Sequence, residues 1–167
     1  MANAGDGGRG TPRRTLLVGA GNPTRGDDAA GVHVVRRLVE HGLPPGCEAA
    51  ELRGGWIGLL DRLGPFERLV VVDAVDVGLP AGTVVELDLG AGSGEGALPT
   101  PTGHATGLLE VLALADRMGL SRPAEVTVLG IQVEDLSAYS ERLSQPLAAT
   151  LEESCRAVLG ALSGEGG

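Results

Sequence analysis

The sequence predicts an α/β protein with three layers, in which a mainly parallel, twisted sheet of about five strands carries helices on both faces. Short apolar runs alternate along the chain with stretches of helical periodicity, which is the pattern of strand–helix–strand units. The strongest run, residues 69–72, is continuously apolar, as expected for a strand buried on both faces. In such sheets, functional sites form at the carboxyl ends of the strands.

The first half of the chain predicts three strands and two helices. Residues 15–18 form an apolar run that stops at Gly19-Ala-Gly21, which indicates a buried strand and a turn. Apolar residues then recur at helical spacing over 32–39. A weak strand is expected at 47–52, a short helix at 57–63, and the strong strand ends at Asp73.

The second half predicts two more strands and two helices. Residues 83–89 alternate in polarity, as an edge strand does, and residues 90–103 predict a long connection without secondary structure. A helix is expected around 108–115, the last strand at 126–131, and a C-terminal helix over 147–162. Ser144 is placed to cap that helix, with Pro146 in its first turn.

The composition limits the domain count and the classes of chemistry. With 43% hydrophobic residues among 167, the chain has material for one core, so we expect a flexible segment at 1–14 and a single domain at 15–163. All 13 basic residues are Arg, and the absence of Lys excludes a Walker A loop, a pyridoxal Schiff base and an amine nucleophile.

The charge and hydropathy patterns limit the partners. A net charge of -9 and only one Trp, one Tyr and one Phe oppose nucleic-acid binding. No apolar run approaches the roughly 18 residues of a membrane span, and no secretory signal is visible at the start. We therefore expect no membrane partner and a cytoplasmic location.

Three places put ionisable groups at the carboxyl edge of the predicted sheet. Asp27 and Asp28 lie between the first strand and the first helix, where Asp27 is a candidate helix cap and Asp28 is the spare carboxylate. Asp73 ends the third strand, which commonly lies beside the first. His104 lies between the Gly-rich connection and a helix. Carboxylates and an imidazole suit nickel or zinc, so Asp28, Asp73 and His104 form a candidate metal site.

Five short segments follow one another along the chain: Val18-Gly-Ala-Gly-Asn22, Asp27-Asp28-Ala-Ala-Gly31, Val70-Val-Val-Asp73-Ala74, His104-Ala-Thr-Gly-Leu108 and Leu129-Gly-Ile-Gln132. In this order they resemble the successive motifs of the hydrogenase maturation proteases. The resemblance runs from about Leu16 to Leu162. Asp28 stands where that family often has Glu, Thr102-Gly103 replaces a frequent Ser-Pro, and Pro23-Thr24-Arg25 is more polar than usual.

The resemblance implies a phosphorylase/hydrolase-like fold and an aspartic-type endopeptidase. Its partner would be the precursor of a [NiFe]-hydrogenase large subunit, from which it removes a C-terminal extension after nickel insertion. Asp28, Asp73 and His104 would be both the catalytic and the metal-contacting residues. The nickel would be supplied by the substrate and would serve as the recognition element, with no tightly bound organic cofactor. Hydrolysis could proceed by metal polarisation of the carbonyl or by a carboxylate acting as general base on water.

Three alternatives remain open on the sequence. The chain could be a non-catalytic, nickel-sensing maturation chaperone that binds the same precursor. Gly19-Ala-Gly21 resembles the start of a dinucleotide fingerprint, although Thr24 stands at the third glycine. Gly21-Asn22-Pro23 resembles a segment of peptidyl-tRNA hydrolases, against which the acidic composition argues.

Overall fold

The protein forms a five-stranded sheet covered by helices, as described by a computed structural model for residues 13–87 and 103–163. The strand order is β2-β1-β3-β5-β4, and all pairs are parallel except β4–β5. The predicted α/β class with a mainly parallel sheet is confirmed. The strands are β1 Thr15–Ala20, β2 Cys47–Leu52, β3 Arg68–Val75, β4 Val84–Leu87 and β5 Glu125–Gln132.

Helices cover both faces of the sheet. They are α1 Ala30–His41, α2 Gly103–Arg117 and α3 Gln145–Ser163, with 3₁₀ segments at Gly26–Ala29 and Trp56–Arg62. The first core packs α2 and the second 3₁₀ segment against one face, and the second core packs α1 and α3 against the other. None of the described helices is long and apolar enough to cross a bilayer.

Glycines bring α1 unusually close to the sheet. A Cβ at Gly19 would lie 2.6 Å from the carbonyl oxygen of Gly31, and a Cβ at Gly31 would overlap the carbonyl oxygen of Val72. Gly21 has a φ of 137°, a conformation that side-chain-bearing residues rarely adopt. The Gly19-Ala-Gly21 turn therefore has a packing role that needs no nucleotide: backbone lies on backbone from β1 through α1 to β3.

The structure differs from the sequence predictions at the end of β3 and at the start of α3. Asp73 does not follow β3 but lies within it, because the strand continues to Val75 and pairs with β5 as far as Gln132. Ser144 precedes α3, yet its hydroxyl makes no hydrogen bond to the residues that the structure describes, so it is not a side-chain cap. The predicted segment 1–14 and connection 90–103 fall largely outside the described residues, as do Asp88 and Leu89 of the predicted edge strand.

Candidate functional site

The loop after β1 holds Asp28 in a fixed position. The backbone N–H of Asn22 donates to Oδ2 of Asp28 at 2.8 Å, and the Asn22 side chain accepts hydrogen bonds from the backbone N–H and hydroxyl of Thr24. Asp28 is 9% exposed, and its Oδ1 accepts no hydrogen bond within 13–87 and 103–163. The loop thus orients one oxygen and leaves the other available to a ligand or water.

Asp27 has a structural role that differs from the predicted cap. It is 2% exposed, and the 3₁₀ segment has no side-chain cap at its start. Its carboxylate instead accepts from the backbone N–H of Ser144 at 2.6 Å and of Glu134 at 3.4 Å. Asp27 therefore joins the loop after β1 to the segment between β5 and α3.

Asp73 lies on the strand beside β1. It is 3% exposed, is paired in register with Gly130 of β5, and its Oδ1 accepts from the backbone N–H of Ala74 at 2.9 Å. Side chains alternate along a strand, so Asp73 lies on the same face as Val71 and Val75, which belong to the core covered by α2. Asp76 is exposed just after β3.

The first turn of α2 carries His104 toward the same edge of the sheet. α2 leads into β5, which starts at the amino edge of the sheet, so the beginning of α2 lies toward the carboxyl edge. One turn after His104, a Cβ at Gly107 would overlap the Trp56 ring, which shows direct packing of this part of α2 on the 3₁₀ segment.

A pocket of about 200 Å³ opens at the ends of β1 and β2. Asp28 and Asn22 line it together with Arg25, Arg53 and Trp56. Trp56 packs against the first core, while its neighbour Ile57 is 61% exposed.

The described thiols and the histidines of α1 lie away from this chemistry. Burial raises the pKa of Cys155 to about 11, and burial also raises the pKa of Cys47, so neither is a thiolate at neutral pH. His33 is partly buried, and burial lowers its pKa. His41 is exposed at the end of α1. These residues supply no nucleophile to the pocket.

Two polar residues that shape the site were not identified as functional from the sequence. Asn22 orients Asp28. The sequence feature that could have indicated this role is the turn-forming segment Gly21-Asn22-Pro23. Gln132 is 2% exposed; its Oε1 accepts from the backbone N–H of Val77 at 2.8 Å, and its Nε2 donates to Asp76 at 3.1 Å. Gln132 thereby fixes the loop that follows Asp73.

The described residues supply carboxylate oxygens to hold a cation or activate water. Within the parts of the chain that the structure describes, no group of three or more His, Cys, Asp or Glu side chains is arranged to hold a metal ion. Asp28, in the 3₁₀ segment after β1, and Asp73, near the end of β3, are buried carboxylates of the type that hydrolytic sites use as ligands or general bases.

Comparison with known proteins identifies the family of this chain. The model of the HycI hydrogenase maturation protease family matches residues 32–161, a range that includes Asp73 and His104 and begins after Asp28. The hydrogenase expression/formation protein HupD of Rhodobacter capsulatus is 35% identical over 147 residues, which cover 84% of this chain and 67% of that protein. HoxM of Azotobacter vinelandii is 32% identical over 93% of this chain and 75% of that protein.

Solved structures agree with the sequence relatives. The hydrogenase maturating endopeptidase HybD of Escherichia coli has a TM-score of 0.69 at 25% identity, covering 92% of this chain and 94% of that one. The hydrogenase 2 maturation peptidase of a Thaumarchaeota archaeon has a TM-score of 0.62 at 26% identity, covering 90% and 98%. These matches favour a peptidase over the dinucleotide-binding, peptidyl-tRNA hydrolase and non-catalytic chaperone alternatives. The chain belongs to the hydrogenase maturation protease family and is a peptidase that acts in hydrogenase maturation.

Proposed function

We propose that this peptidase removes the C-terminal extension from the nickel-loaded large-subunit precursor of a [NiFe] hydrogenase, and that it does so in the cytoplasm. The observation that carries the proposal is the position of Asp28 and the hydrogen bonding of its carboxylate. It lies in a pocket at the carboxyl edge of the sheet, with one oxygen held by the Asn22 N–H and the other without a hydrogen bond from any described residue. Such a carboxylate is positioned for a ligand that arrives with the substrate.

Nickel is the recognition element in this proposal, and it belongs to the substrate. Asp28, Asp73 and His104 complete the coordination of nickel held by the precursor, because carboxylates and imidazole are suitable nickel ligands. Support comes from the adjacency of β1 and β3, and from the position of His104 in the first turn of a helix on the same face as Asp73. A nickel-free precursor lacks this bond and binds weakly.

The same residues serve hydrolysis. Metal polarisation of the scissile carbonyl and general-base action of a carboxylate on water are both compatible with the buried acids. A cysteine nucleophile is disfavoured because the pKa of each thiol is raised. The proposal requires no tightly bound organic cofactor.

The test is a processing assay with purified precursor, loaded with nickel or nickel-free, read by mass spectrometry. We expect the native enzyme to shorten only the nickel-loaded precursor. Asp28→Asn, Asp73→Asn and His104→Ala should each abolish that shortening while the thermal unfolding of the variants remains cooperative. Asp61→Asn removes an exposed carboxylate from the Trp56–Arg62 segment and is the matched control.

Three results would contradict this proposal. Cleavage retained by the Asp28, Asp73 and His104 variants would remove them from the site. Equal cleavage of loaded and nickel-free precursor would remove nickel as the recognition element. A precursor that binds but keeps its full mass would instead indicate the nickel-sensing chaperone.

A further inference from the structure

Two arginines line the pocket that contains Asp28. Arg25 lies on the loop after β1, and Arg53 directly follows β2. The chain as a whole carries a net charge of -9, so a small pocket lined by two arginine residues differs from the acidic average of the chain. Positive charge concentrated in an acidic protein indicates an anionic ligand at that place.

The backbone of Arg25 is firmly held, whereas its side chain has few partners. Its N–H donates to the carbonyl of Asn22 at 3.0 Å, and its carbonyl accepts from the N–H of Asp28 at 3.1 Å. The guanidinium makes one long hydrogen bond, of 3.4 Å, to the carbonyl of Leu136, and lies 5.6 Å from the centre of the exposed Tyr139 ring.

The charge of Arg25 is not compensated within the described parts of the chain. It makes no ion pair there, and its buried Nε has no hydrogen-bond partner. The other guanidinium N–H groups have one long hydrogen bond among them, so they keep donors that a ligand can use. Arg25 also belongs to the segment whose polarity departs from the usual motif.

Arg53 has a partner, but it shares that partner. Glu51 accepts from Arg36 at 2.8 and 3.0 Å and also pairs with Arg53 at 2.8 Å. The two guanidinium groups hold the pKa of Glu51 at about 2, so this carboxylate is ionised and neutralises only one of them. The group of Arg36, Glu51 and Arg53 therefore keeps one positive charge beside the pocket.

The size of the pocket limits what occupies it. Its volume, about 200 Å³, is below the roughly 300–1,000 Å³ typical of small-molecule sites. A single side chain or a chain end fits such a space better than a cofactor does. Guanidinium groups match a carboxylate through paired N–H donors, which makes a carboxylate the favoured anion.

We propose that Arg25 and Arg53 form a carboxylate-binding subsite, which holds an acidic group of the precursor's C-terminal segment beside Asp28. The inference rests on the proposed function for the identity of that segment. The carboxylate comes from an acidic side chain or from the end of the extension, and the two sources share the same recognition chemistry. The subsite would set the position of the peptide relative to the candidate hydrolytic residues.

The experiment measures binding without cleavage and uses Trp56, the single tryptophan, as the fluorescent reporter inside the pocket. The probe is a synthetic peptide comprising the C-terminal extension of the precursor encoded with this enzyme. It is titrated in three forms: unmodified, with an amidated C-terminus, and with its Asp and Glu residues replaced by Asn and Gln. Variants Arg25→Gln and Arg53→Gln are compared with Arg62→Gln, an exposed arginine outside the pocket.

We expect saturable binding of the unmodified peptide, weakened about tenfold or more by Arg25→Gln and by Arg53→Gln, and unchanged by Arg62→Gln. Weaker binding of the amidated peptide would identify the chain end as the source of the carboxylate, and weaker binding of the Asn/Gln peptide would identify a side chain. Arg25→Lys keeps the charge but loses the paired donors, so its binding should be intermediate.

Three results would overturn the proposal: no saturable binding, equal binding of all three peptide forms, or equal weakening by all three Arg→Gln variants. If Arg25→Gln fails to fold, the Arg53→Gln variant and the modified peptides still test whether the subsite binds a carboxylate. An enzyme that binds the peptide through its carboxylate but never shortens the precursor would support the subsite and contradict the proposed function. The failures of the two proposals can therefore be distinguished.

Discussion

Asp27 and Asp28 are neighbours in the chain, and we predict that substitutions separate their roles. Asp27→Ala removes the acceptor of two backbone N–H groups, those of Ser144 at 2.6 Å and Glu134 at 3.4 Å. Hydrogen bonds to a charged group contribute about 1.5–3 kcal/mol each, and a distance of 3.4 Å places the second well below that range. The expected loss in the free energy of unfolding is therefore about 2–3 kcal/mol.

Urea denaturation and thermal unfolding measure this loss. For a chain of this length, 1 kcal/mol corresponds to about 2–4 °C, so the melting temperature of Asp27→Ala should fall by about 4–12 °C. Asp27→Asn keeps one acceptor oxygen and should lose less. Asp28→Asn should leave stability within about 1 kcal/mol of the native value, because its single described bond comes from Asn22. A stable Asp27→Ala protein beside an unstable Asp28→Asn protein would refute this division of roles.

The remaining predictions concern pH, packing and thiol reactivity. The pKa of Glu51 is depressed to about 2. Its ion pairs therefore stabilise the protein fully above pH 4.5, the ordinary pKa of Glu, and this stabilisation is lost as the pH falls toward 2. In denaturation experiments between pH 2 and 6, the free energy of unfolding of Glu51→Gln should decline less with falling pH than that of the native protein. Gly31→Ala puts a methyl group against the carbonyl of Val72 and should cost about 3 kcal/mol in urea denaturation, so an unchanged midpoint would contradict the close packing of α1. Ellman's reagent at pH 7–8 should react with half-buried Cys47 before unfolding and with Cys155 only on unfolding, and two equally fast thiols would disagree with the burial of Cys155.

The buried strands could be predicted from the sequence because their signal is local. A run of apolar residues ending at a glycine turn or an acidic residue predicted β1 and most of β3, and both lie at the centre of the sheet. The end of β3 was not predictable, since an aspartate is a poor strand former by itself. Pairing with β5 through Gln132 keeps Asp73 in the strand and overrides that preference.

The candidate site was predictable in part. Two adjacent acids after a glycine turn indicated that one of them was spare, and the structure places Asp28 in the pocket. The role of Asp27 depends on Ser144, 117 residues further along the chain, and no local pattern reports such a contact. The same holds for the shared pairing of Glu51, in which one arginine comes from α1 and the other follows β2. The joint coordination by Asp28, Asp73 and His104 stays a prediction.

The contact of Gly31 with Val72 has a consequence for how this enzyme tolerates change. Asp28 lies three residues before Gly31, and Asp73 directly follows Val72, so the separation of the two acids is set by main-chain atoms touching one another. A side chain at Gly19 or Gly31 would therefore push these main-chain segments apart and widen the gap between the two acids.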